Sequence, residues 1–164
     1  MDALPPLPGP LPWPVPDSRA HHVVGDYWDM HALVEDLVLP AHAPASVTSV
    51  LETSRELIRH SYYRYEFTTV AVAFSLFALE AALATHLASK KPLKEQIDLA
   101  AARNVISEDL RERLQYGRAI RNKLSHGKTT GAALTPAMAV PMVRAAFDTA
   151  ALLYPDPATP PPTG

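Results

Sequence analysis

Cysteine is absent from this 164-residue chain, which removes disulfides, thiolate nucleophiles and cysteine-bearing zinc sites together and suits a reducing compartment. Only six glycines are present, and none form a phosphate-cradling run, so the sequence holds no nucleotide loop or dinucleotide fingerprint. An excess of positive charge is also missing. At a formal net charge of -2, contact with nucleic acid has to come from a local cluster of Arg and Lys. His21, His22 and Asp26 are followed by no further ligand set, so neither a metal nor a cofactor is expected. The first residues, MDALPPLPGPLPWPVP, have no basic or apolar region of the signal-peptide kind, which predicts a cytoplasmic protein. The most apolar stretch, Val70 to Ala84, is interrupted by Ser75 and Glu80. It reads as too short for about 30 Å of hydrocarbon, which predicts a buried helix and no membrane contact.

What is present is a hydrophobic content of 48%, enough for one domain that removes about 70% of its unfolded surface from water. Nine of the seventeen prolines precede Val47 and five follow Tyr154. Proline fixes φ and removes an amide donor, so the ends are expected to be extended. Residues 1–45 read as a proline-rich arm or strap, 46–154 as the domain and 155–164 as a tail. Within the arm, His21 to Pro40 reads as a strand-like or short helical strap across the domain.

From Ser46, a plausible N-cap, Val47, Val50, Leu51, Ser54, Leu57 and Ile58 form one helical stripe. Phe67 to Ser89 is apolar nearly all round, which predicts a central helix ended by Lys90, Lys91 and Pro92. A short helix over Leu93 to Ala101 follows. Ser107, with Glu108 and Asp109 in the first turn, starts a long helix to about Ser125, where Gly127 ends it. Thr135 and Pro136 are an N-cap and N1 pair opening a last helix to Pro155, with a kink expected at Pro141. With no βαβ alternation, the fold expected is all-α, an up-and-down bundle of four to five helices with proline-rich extended tails.

One placement stands out. With Leu110 at zero on a helical wheel, Leu114, Gly117 and Leu124 fall within roughly 40°, and Arg121 lies at about 20°. The guanidinium therefore leaves the centre of an apolar stripe, where a carboxylate or phosphate partner is expected. Glu80 is the only charge between Val70 and Leu87 and reads as the bundle's internal partner for such a base. If so buried, its removal would cost about 3 to 5 kcal/mol. Asn122 and His126 share a flank of the same helix, whereas Arg121 and His126 lie about 140° apart on an ideal helix and converge only where it frays. Gly127 permits that turn.

The segment GRAIRNKLSHG resembles the Arg-x4-6-His signature of the HEPN superfamily, in which a polar residue, commonly Asn, follows the Arg. The matching residues are Arg121, Asn122 and His126. Upstream, RHSYYRYEFTTVAVAFSLFALEAAL, LKEQIDLA and SEDLRERL are similar to the helical core of stand-alone bacterial HEPN proteins, so the resemblance covers roughly Ser49 to Tyr154. It implies a helical bundle that pairs as a homodimer with both Arg and His sets facing one cleft, and an activity as a metal-independent ribonuclease. Some relatives are toxins, which makes an antitoxin protein a candidate partner; others are catalytically silent. Members modified by a nucleotidyltransferase partner carry a Tyr two residues after the His, where this chain has Lys128, so that kind of partner is not implied.

The chemistry implied is endoribonuclease cleavage of RNA by its own 2′-OH, of defence or toxin type, with His126 as acid or base and Arg121 on the phosphate. Imidazole suits the first task because its unperturbed pKa is about 6.5, and a guanidinium fork suits the second. Asn122 would orient either group, and Arg118, Lys123 and Lys128 would supply the local RNA-binding patch. The alternative is a silent HEPN-like module binding RNA or a protein, with Arg121 salt-bridged inside the bundle and His126 capping a helix end. A second Arg-x4-His, Arg55 to His60, lies in a segment without the Asn or the helix end. The run Arg59, His60, Tyr62, Tyr63, Arg64 and Tyr65 mixes bases with aromatics, which suits either base stacking or, as the commoner use, the packing of helix ends.

Overall fold

The computed structural model describes residues 13–125 and 134–157. All regular structure there is helical: a 3-10 turn over Ala20–His22, then α1 (Tyr27–Ala32), α2 (Ala45–His60), α3 (Phe67–Leu87), α4 (Leu93–Ala102), α5 (Glu108–Ser125) and α6 (Pro136–Leu153). The protein is an all-α helical bundle. Its longer helices follow the expected stripes, with small differences at their starts.

α2 begins one residue before Ser46, because Pro44 and not Ser46 is its N-cap; the Pro44 carbonyl accepts from Val47 and Thr48 at 2.8 and 3.0 Å. Ser107 Oγ accepts from the Leu110 amide at 3.2 Å and opens α5. Thr135 Oγ1 accepts from the Met138 amide at 3.2 Å, with Pro136 at N1. α6 runs on through Pro141, which sits on the solvent face.

α3 is the centre of the bundle and packs against α2, α4, α5 and α6. Its 21 residues exceed the Val70–Ala84 stretch, because Thr68, Thr69, Thr85 and His86 extend the helix at both ends. By length and composition alone it could therefore cross a bilayer, which corrects the shorter reading; in this fold half of its most apolar window is buried. A left-handed Ala88, φ 49°, turns the chain out of it. Ser54 Oγ donates to the Ala71 carbonyl at 2.7 Å. The two positions lie at similar distances from the α2–α3 connection, as in an antiparallel helical hairpin.

The strap is helical and shares the core: Ala20, Val24, Met30, Val34 and Leu37 are buried with the interior of α2, α3 and α6. Asp26 caps α1, accepting from the amides of Trp28 and Asp29 at 2.7 and 3.1 Å, so it serves the backbone. Asp17 fastens the start of the strap. Its amide donates to the Tyr62 carbonyl at 2.8 Å, and its carboxylate pairs with Arg19, which also reaches Glu66. At the far end Arg144 of α6 grips Asp36 in a two-point ion pair.

The basic and aromatic run at the end of α2 and just beyond it is largely structural. Tyr62 and Tyr65 are buried, Tyr62 and Tyr63 meet Tyr27 of the strap at 6.0 and 5.4 Å between ring centres, and Arg19 lies over Tyr65 at 4.7 Å.

Candidate functional site

The C-terminal half of α5 carries the site, and its position follows from packing. Leu110, Leu114 and Gly117 are buried along one stripe. Gly117 faces α3 and α6, and an added Cβ there would meet Val72 and Leu76 at 3.7 and 3.9 Å and Met142 at 3.9 Å, ordinary van der Waals distances. One turn further the stripe reaches the edge of the core, and the next residue on it is Arg121.

Arg121 Nη1 donates to Glu80 Oε2 on α3 at 2.9 Å. Its guanidinium also lies 4.5 Å from the centre of the Phe77 ring, one turn before Glu80. The two side chains retain 23% and 38% of their exposure, so the pair sits at the rim of the bundle and not inside it. The expected carboxylate partner is therefore present, but in a wetter setting than full burial.

The short connection over residues 103–107 makes α4 and α5 neighbours. Arg111 Nε donates to Asp98 Oδ1 at 2.8 Å, and Gln115 Nε2 donates to the Lys94 carbonyl at 3.1 Å. Four residues forward on α5 match four back on α4, which is antiparallel register. One further step brings Arg118 beside the first turn of α4, where Gln115 Oε1 accepts from Arg118 Nε at 2.7 Å. The result is a groove of about 260 Å³ lined by Glu80, by Pro92, Leu93 and Lys94, and by Arg118, Arg121 and Asn122.

Four of the residues singled out from the sequence thus meet at one groove: Glu80, Arg118, Arg121 and Asn122. Lys123 is exposed on the same helix but does not line the groove. His126 and Lys128 lie outside the described residues. Lys94 was not evident from the sequence; only the α4–α5 register brings it to the α5 end. Among the described residues no cluster of three or more His, Asp and Glu side chains has the arrangement of a metal site.

The second Arg-x4-His match looks different. Arg55 Nη1 donates to the Leu37 carbonyl at 3.1 Å, which ties α2 to the strap. His60 is exposed, its ring 5.9 Å from that of Tyr27. Both lie within one regular helix, where a spacing of five residues leaves them about 140° apart.

No protein-family profile, curated protein or solved structure matches the chain.

Proposed function

We propose that this protein is a metal-independent endoribonuclease of the HEPN type, acting in defence or as a toxin on RNA. The observation that carries the reading is the shared groove: Arg118, Arg121 and Asn122 converge at the rim of the bundle, and in the sequence His126 follows Arg121 by five residues and Asn122 by four. In this reading Arg121 contacts the scissile phosphate, Asn122 orients it, and His126 moves the proton between the 2′-OH and the leaving 5′ oxygen. Glu80 and Phe77 act as positioning residues that hold the Arg121 fork at one place, which is where fixed charge is most effective. Pairing of two chains around one cleft, an antitoxin protein as regulator and a cytoplasmic setting belong to the same proposal.

One observation favours a second reading. Arg121 donates to a carboxylate of its own chain, as a purely structural arginine would, and a catalytically silent bundle that binds RNA or a protein partner would use the same contact. The experiment separating the two is incubation of purified protein with single-stranded RNA in EDTA. The proposal expects products ending in a 2′,3′-cyclic phosphate or 3′-phosphate and a 5′-hydroxyl. Intact RNA at all protein concentrations would leave the silent bundle.

A further inference from the structure

The groove between α4 and α5 holds more positive charge than the contact with Glu80 uses. Among the described residues Lys94 and Arg118 form no salt bridge: Arg118 is held by the amide oxygen of Gln115, and Lys94 stands exposed in the first turn of α4, where the carboxylate whose charge it feels, Asp98, is already paired with Arg111. With Arg121 balanced by Glu80, two cations remain on one wall. Two such charges side by side repel each other, and an anion placed between them relieves that cost.

The volume limits what enters. About 260 Å³ lies below the roughly 300 to 1,000 Å³ of sites that enclose whole drug-sized ligands. It suits a phosphate with its sugar, leaving the base outside. The groove lies along the flank of a helix, where a flexible single strand can bend to bring a phosphate to its cations more readily than a stiff duplex can.

We infer that this groove is a phosphodiester subsite for single-stranded RNA, in which Lys94 and Arg118 hold the phosphate next to the one at Arg121. The inference rests on the RNA reading above but not on cleavage. It sets the course of the strand along α5 and makes Lys94 a binding residue supplied by a helix outside the Arg-x4-His segment.

The test uses a 2′-O-methyl RNA oligonucleotide, which cannot be cut through its 2′-OH, bound to the full chain and followed by fluorescence anisotropy over a range of salt. For single strands each lost phosphate contact reduces the slope of log K against log salt by about 0.7. Lys94→Gln with Arg118→Gln should therefore lower the slope by about 1.4 and weaken binding roughly tenfold or more at low salt, equally for all sequences. Arg103→Gln, which removes one positive charge at the other end of α4 as Lys94→Gln does at its start, should leave both unchanged. Should the double variant fail to fold, Lys94→Gln alone, at an exposed position, should still lower the slope by about 0.7. An unchanged slope and affinity, or no binding by the wild-type chain, would overturn the subsite. Loss of slope in a protein that never cleaves RNA would keep the subsite and remove the nuclease.

Discussion

Arg121 on α5 and Glu80 on α3 meet at 2.9 Å, with the Phe77 ring beneath the guanidinium at 4.5 Å. This contact joins the edge of the core to the candidate site, so its energetics and its function can be tested separately. Both side chains keep part of their hydration, 23% and 38% exposed, which puts the pair among rim salt bridges and not buried ones. Glu80→Ala should cost about 1 kcal/mol, not the 3 to 5 expected of a stranded buried charge. Glu80→Gln, which keeps an acceptor, should cost on the order of 0.5 kcal/mol. Urea denaturation checks both, and a loss above about 3 kcal/mol would mean that Arg121 is left in a dry environment.

Gly117 gives an opposite expectation. It lies inside a regular helix, and an added Cβ would make ordinary contacts at 3.7 to 3.9 Å. Gly117→Ala should therefore stabilise the protein by about 0.5 to 1 kcal/mol, through the lower helix entropy cost and better packing. Gly117→Leu should destabilise by about 1 to 3 kcal/mol, because Val72, Leu76 and Met142 leave no room beyond a methyl group. Thermal melts of the two variants should move in opposite directions.

Acid should loosen the strap. The hydrogen bond from Arg19 holds the Asp17 carboxyl well below the ordinary carboxylate range, and Arg144 and Arg111 lower Asp36 and Asp98 in the same way. Folded-state values below the unfolded ones mean stability that is complete above about pH 5 and is lost as pH falls through the unfolded values near 4 toward the folded ones. Asp17 is the least exposed of these, at 14%, and should contribute most, since exposed pairs are screened. The melting temperature should fall between about pH 5 and pH 2, less steeply in Asp17→Asn. An equal slope in that variant would show that the strap is held by its apolar residues alone.

The helices were legible in the sequence because each stripe coincides with a stop or start signal: Thr135 with Pro136, Ser107 with its acidic turn, and the apolar run of α3 closed before Lys90. Ser46 misled as a cap because a proline two residues earlier already sets the helical start. The strap was harder to read. Met30, Val34 and Leu37 have helical spacing, but prolines on both sides and a break after Ala32 hide the pattern, although all three are buried. At the site, Arg121 and its need for a carboxylate could be read from the wheel, since burial of Leu110, Leu114 and Gly117 fixes the direction of the stripe. Lys94 could not, because its arrival beside Arg118 depends on the α4–α5 register, which only the packed structure reveals.

The central claim is that Arg121, and not Arg55, belongs to a ribonuclease site. The most direct measurement is the initial rate of single-stranded RNA cleavage in EDTA by the wild type, by four single variants and by one double variant, each first shown to melt cooperatively. Arg121→Ala and His126→Ala should each reduce the rate by roughly 10² to 10⁴, and the double variant should be no worse than either, since residues acting as a unit are not additive. Arg55→Ala and His60→Ala should retain most activity, because Arg55 serves the Leu37 carbonyl and His60 lies on a different face of α2. Cleavage at wild-type rate by all four single variants, or activity that disappears in EDTA, would contradict the account.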